Sequence, residues 1–234
     1  MTDVWQSITS ASRAVGPSPM VTWLAPMGSI ELSGTTYFNG VSKAANFLVD
    51  GLMIDAHTAV AVELGNHWQS PVWLSAVFAA GCHVSDVENA DFVVTFCDEL
   101  PAVRNGKTFI AVSRHPFGVP DVDVPVDVVN GSLEVRNFGD YYAGPSQRDE
   151  VLVSDAHCEI RSDHALEVIT EIFAAKNVMS GQRISLAGFG SVTDRVIWQV
   201  LAPVFGQCSV VLLDGVPSDS PMIAAEKIAV AIAL

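Results

Sequence analysis

The chain has 234 residues, 50% of them hydrophobic and 16% charged, and 12 basic against 26 acidic side chains leave a net charge of −14. About a quarter of an ordinary soluble domain is charged, so this chain is apolar and thinly charged, and its length suits one large domain or two small ones. From Ala44 to Val103 there is no Lys or Arg against eight acidic residues, which argues against nucleic acid and anionic membrane partners, since both need clustered cations.

Taken in chain order, the hydrophobic periods alternate between strand and helix. A first helix is expected over Asp3–Ala14, stopping at Gly16-Pro17-Ser18-Pro19. A hairpin follows, VTWLA (21–25) and SIEL (29–32), turning at Pro26-Met27-Gly28. Ser33 can cap the next helix, whose apolar stripe (Tyr37, Val41, Ala44, Ala45, Leu48, Val49, Leu52) recurs at three and four and so packs on a sheet. Strand TAVAVEL (58–64) leads through Gly65-Asn66 into a helix, Trp68–Ala80, that is apolar on nearly all sides, with Pro71 in its first turn; helices of that kind are buried.

Two strands, FVVTF (92–96) and TFIAVS (108–113), come next. The stretch DVDVPVDVV (121–129) alternates acid and valine around Pro125, which predicts an edge strand protected by charge. A calcium loop through Asp121, Asp123 and Asp127 would need a turn glycine and a terminal Glu that are missing. The last third repeats the rhythm: strand 150–154, helix 162–176, strand 183–189, helix 192–201, strand 209–214 and a closing helix over Ser220–Ala233. Such alternation specifies an α/β, three-layer, Rossmann-like architecture of mostly parallel sheets covered by helices. We expect two subdomains, 1–130 and 131–234, divided somewhere between residues 115 and 150.

The longest apolar stretch, Val72–Val84, covers 13 residues, short of the ~20 that span a bilayer. The first residues lack the basic and apolar regions of a secretory signal. Cys82, Cys97, Cys158 and Cys208 form no CxxC pair and are expected to be buried, reduced thiols of a cytoplasmic protein.

The segment ELSGTTYFNGVSKAANFLVDGLMIDAHTAVAVELGNHWQSPVWLSAVFAAGCHVS resembles the N-terminal region of adenylate-forming (AMP-binding, acyl-CoA synthetase) enzymes, with Ala45, Asn46, Leu48, Ala80 and Gly81 in matching places. A second stretch, NVMSGQRISLAGFGSVTDRVIWQVLAPVFGQCSVVLLDG, is similar to that family's middle strand–helix–strand, with Leu201, Pro203 and Gly206 in place. The matching residues are packing positions, specific for fold and weak for function. Between the two stretches the family carries a Ser/Thr/Gly-rich loop ending in Pro-Lys-Gly that holds the ATP phosphates. This chain reads VLVSDAHCEIRSDHALEV there, with four acids and neither glycine nor lysine. The family's later adenine, ribose, hinge and lysine motifs find no counterpart. The chain is identified as a member of a short family related to AMP-binding enzymes but without their catalytic half. The resemblance therefore implies a non-catalytic binding or interaction module for a partner chain or a small apolar or acyl-type ligand, with no cofactor, metal or catalytic residue.

One turn remains as a candidate pocket: Gly188, Phe189, Gly190 and Ser191 join a strand to a helix, and Asp214 ends the following strand. That is the outline of a dinucleotide-binding unit and supports the alternative of a nucleotide-binding enzyme or sensor, although Thr193 replaces the third glycine. The densest polar cluster, Asp155, His157, Cys158, Glu159, Asp163 and His164, reads as helix-start chemistry, because adjacent His157 and Cys158 cannot easily activate each other. His67 and Trp68 read as capping and packing, and Ser191, Thr193 and Asp194 have no neighbouring histidine for a triad. The apolar excess is expected to reflect a homodimer or partner interface burying roughly 1,200 Å² or more.

Overall fold

A computed structural model describes residues 3–144, 151–155, 158–188, 190–217 and 219–234. The chain begins with α1 (Val4–Val15), whose N-terminus is capped by the Asp3 carboxylate accepting from the Trp5 and Gln6 amides at 2.8 and 3.3 Å. Such a cap satisfies backbone donors that have no partner inside the helix. Then come β1 (Pro19–Ala25), β2 (Gly28–Ser33) and α2 (Gly34–Asn46), the last capped by Ser33 and prolonged by a π turn over Phe47–Gly51. Gly34 is required where α2 starts: a Cβ there would lie 2.2 Å from the Ser12 carbonyl oxygen of α1.

The middle of the chain supplies β3 (Ala59–Glu63), α3 (Gln69–Ala79), β4 (His83–Ser85), β5 (Phe92–Phe96), β6 (Thr108–Val112), β7 (Val129–Asn130) and the short α4 (Gly131–Glu134). The remainder is β8 (Val151–Ser154), β9 (Glu159–Arg161), α5 (Ala165–Lys176), β10 (Arg183–Ala187), α6 (Val192–Val196), a π turn (Ile197–Leu201), α7 (Ala202–Phe205), β11 (Ser209–Leu213), α8 (Pro221–Ala225) and β12 (Val230–Ala233).

Two sheets result, in the orders β12-β10-β11-β1-β2 and β7-β6-β5-β3-β4-β8-β9. Every pairing is parallel except β1 with β2 and β8 with β9. The α/β class expected from the alternation is the one observed. Both sheets draw strands from either side of residue 130: β1 pairs with β11 in the register Val21↔Val210, and β8 joins β4 in the register Val84↔Val153.

The apolar excess goes largely inward. All residues of α3 are buried, because α1 and α2, the strands β3 and β4, and the π turn after α6 enclose it. The accessible surface of 10,456 Å² is close to the about 10,200 Å² of a compact monomer this size. Among the described residues no helix is long and apolar enough to cross a membrane.

Two expected elements and one expectation about burial differ. The closing helix over Ser220–Ala233 is instead α8, a turn with Lys227 at φ 51°, and strand β12, which pairs with β10 from Ile184↔Val230 to Ala187↔Ala233. Residues 121–128 do not form an edge strand: Val122 and Val126 are fully exposed, and pairing to β6 begins only at Val129. Pro125 has no amide to donate to a ladder, which is a physical reason for the late start. The cysteines are not uniformly buried, since Cys97 is half-buried and Cys158 exposed.

Candidate functional site

The parallel strands of both sheets run their carboxyl ends toward one place, and the loop between β3 and α3 ties them together there. In that loop Asn66, 5% exposed, donates through Nδ2 to the carbonyls of Leu186 (3.4 Å), Gly188 (3.0 Å) and Leu213 (3.2 Å). One amide of the seven-stranded sheet's loop thus holds the ends of β10 and β11 in the other sheet.

Gln199 completes the knot. Its Nε2 donates to the Gly65 carbonyl at 3.0 Å and to Asn66 Oδ1 at 3.3 Å, while its Oε1 accepts from the Ser70 hydroxyl at 2.6 Å. Gln199 is completely buried and lies in the π turn, where the Ala202 amide reaches back five residues to the Ile197 carbonyl. Single π turns recur at functional positions of helices because the extra residue re-aims side chains.

Around this amide network lie an ion pair and an aromatic box. Arg195, on α6, meets Glu63, at the end of β3, through two bonds of 2.8 and 3.2 Å. His67 is enclosed by Trp23, Trp68 and Phe96 at ring distances of 4.7, 5.6 and 5.2 Å. Burial, helped by the charge of Arg114, pushes its pKa down to about 3. Its Nδ1 accepts from the Gln69 amide at 3.4 Å, so the ring is a neutral packing group at physiological pH and not a proton donor. Trp23 Nε1 donates to Asp214 Oδ2 at 3.1 Å; the acid that ends β11 is therefore engaged by the neighbouring strand.

The turn expected as a pocket lies beside this network. Gly188 has φ 92°, and a Cβ on it would sit 2.7 Å from the Leu234 carbonyl oxygen, so only glycine suits the position. Gly190 is half-buried and Phe189 lies outside the described residues. Ser191 forms a reciprocal cap with Asp194: its amide and hydroxyl both donate to the Asp194 carboxylate, at 3.0 and 2.7 Å, and its Oγ accepts from the Asp194 amide.

The polar cluster is divided by the β8–β9 hairpin, an arrangement not expected from sequence. Asp155 accepts from the Cys158 amide at 2.9 Å and from the Thr193 hydroxyl at 2.6 Å. Asp163 and His164 lie 3.0 Å apart, Glu159 lies 3.9 Å from the Arg161 guanidinium, and His157 lies outside the described residues. Among the described residues no three metal-binding side chains converge. A separate cleft of about 700 Å³ beyond β5 and β6 is lined by Met27, Cys97, Asp98, Arg114, Asp121 and Asp123 among others. Burial and the charges of Asp121, Asp98 and Asp123 raise the Cys97 pKa, which keeps it a thiol and a poor nucleophile.

Sequence reasoning missed Asn66, Gln199, Glu63 and Arg195. Gln199 carried a signal, a lone amide within the apolar run VIWQVL. The Glu63–Arg195 pair carried none, being joined only by the fold.

Fold and convergence of strand ends define an α/β protein of the type that forms the N-terminal domain of acyl-CoA synthetases. The acyl-CoA synthetase of Brucella canis superposes with a TM-score of 0.80 at 12% identity, over 97% of this chain and 46% of its own. Apo MatB from Rhodopseudomonas palustris gives 0.68 at 11% identity, over 98% of this chain and 48% of its own. The chain spans less than half the length of these two proteins, and likeness at such identity shows the fold alone. A TIGR03089 family protein of Mycobacterium tuberculosis is 29% identical over 209 residues, 85% of this chain and 84% of that protein. No family model matches the sequence.

Proposed function

We propose that this protein is a non-catalytic binding module on the N-terminal fold of acyl-CoA synthetases, taking a small apolar or acyl-type ligand or a partner chain and performing no adenylation. The observation that carries this reading is the engagement of Asp155 with Thr193 and Cys158. It lies where the family resemblance puts the phosphate loop. Phosphates are held by free amides, hydroxyls and cations. Here the Thr193 hydroxyl and the Cys158 and Ser191 amides already serve the carboxylates of Asp155 and Asp194. Two fixed carboxylates also repel an incoming triphosphate.

ATP–pyrophosphate exchange with a panel of carboxylates tests the reading. Exchange at background is expected, and robust exchange with any carboxylate overturns it. The same reading includes a cytoplasmic homodimer, for which the exposed Phe117, Val119, Val122 and Val126 supply apolar surface on one segment. Light scattering on the purified chain checks this, and a monomer at micromolar concentration counts against it.

A further inference from the structure

A groove of about 340 Å³ runs along α1, between that helix, the first turn of α2 and the segment 141–144. Its volume suits a small ligand, since such pockets occupy ~300–1,000 Å³. One end of it is aromatic. Trp5 stacks on Phe38 at 5.5 Å and meets Tyr142 edge to face at 5.8 Å, and Tyr141, 67% exposed, completes that wall.

Asp3 lines the same end of the groove and is 5% exposed. Its Oδ1 caps α1 by accepting from the Trp5 and Gln6 amides, but its buried Oδ2 finds no partner among the described residues. Nor does Asp3 enter an ion pair among them. The amides and dipole of α1 offset part of its charge. Buried carboxylates are otherwise paired, because taking a charge out of water is costly. The Tyr142 hydroxyl, buried in the same wall, also lacks a partner among the described residues. Arg13 lines the groove too, but ten residues of helix set it about 15 Å along the axis from Asp3. The near end therefore joins aromatic rings to a negative charge that no side chain of the protein balances.

We propose that this groove binds a small quaternary ammonium compound, its methyl shell against Trp5, Phe38, Tyr141 and Tyr142 and its charge beside Asp3. Aromatic faces attract such cations through the ring quadrupole. A primary ammonium fits less well: it must donate hydrogen bonds, and Asp3 Oδ2 and the Tyr142 hydroxyl are closed to solvent. A quaternary ammonium has no N–H to leave unsatisfied. Isothermal titration with choline, with its neutral carbon isostere neohexanol and with ethanolamine tests the proposal, at physiological ionic strength to screen surface charge. Choline is expected to bind about tenfold or more tightly than either of the others. Asp3→Asn keeps an oxygen to cap α1 and is expected to bring choline down to the level of neohexanol, with circular dichroism verifying the fold. Tyr141→Leu, at an exposed position, keeps apolar area without a ring and is expected to weaken choline while sparing neohexanol. Equal affinity for choline and neohexanol, ethanolamine binding as tightly as choline, choline binding unchanged in Asp3→Asn, or no choline binding at millimolar concentration overturns the proposal. The groove lies apart from the strand ends, so none of these outcomes alters the pyrophosphate-exchange result and the two readings fail separately.

Discussion

Replacing Asn66 by alanine removes the side chain through which the β3–α3 loop holds the ends of β10 and β11. The loss comprises the Nδ2 bonds to the Leu186, Gly188 and Leu213 carbonyls and the Oδ1 bond from Gln199. Two N–H groups serve the three carbonyls, so the network is worth about three ordinary bonds at about 1 kcal/mol net each. Buried acceptors left unsatisfied raise the cost, giving a loss of about 3–4 kcal/mol. Urea denaturation followed by both fluorescence and circular dichroism measures it. With a slope of about 2–3 kcal/mol/M the midpoint falls by about 1–2 M. Gln199→Leu and the double variant close a thermodynamic cycle, in which a coupling of about 0.5–3 kcal/mol is expected of residues in one network. A loss below 1 kcal/mol, or additivity with Gln199→Leu, would refute the idea that this amide pair fastens the sheets.

The ion pair should respond asymmetrically. Glu63→Gln strands the buried Arg195 guanidinium and is expected to cost about 2–3 kcal/mol, discounted because Glu63 is about one-third exposed; Arg195→Met should cost less in the same urea assay. His67 is neutral in the fold, with its pKa pushed down to about 3, but protonates near 6.5 when unfolded. Its stabilisation is therefore present above about pH 6.5 and lost as pH falls toward 3, at up to about 1.4 kcal/mol per pH unit. His67→Gln should flatten the acid limb of stability against pH, and parallel limbs for the two proteins would contradict the assignment. Gly188→Ala forces a Cβ against the Leu234 carbonyl at positive φ, a strain of about 1–3 kcal/mol. Calorimetry should show Tm falling by about 2–4 °C per kcal/mol, and an unchanged Tm would count against the close approach.

The legible parts of this fold were those with a long period or a strong local signal. The buried helix after Asn66 announced itself by apolar residues on every side, and α2 by its stripe and the Ser33 cap. The closing segment was read as a helix because Ala, Met and Ile dominate it. Long-range pairing of Val230–Ala233 with β10 overrode that local preference. Strands β4 and β9 are only three residues each, too short for a period to show. The site was less legible than the fold because its members meet from distant places. Asn66 bonds to carbonyls 120 to 147 positions away, and no local spacing encodes that.

The pairing of β1 with β11 also shapes the order in which the protein can be made. Val21 finds its partner Val210 across almost the whole chain. At translation rates of about 5–20 residues per second, that partner emerges about 10–40 s later. Through that interval the hairpin of β1 and β2 offers an open edge to chaperones or to other nascent chains. A strand made long before its partner is thus among the last to be fully paired.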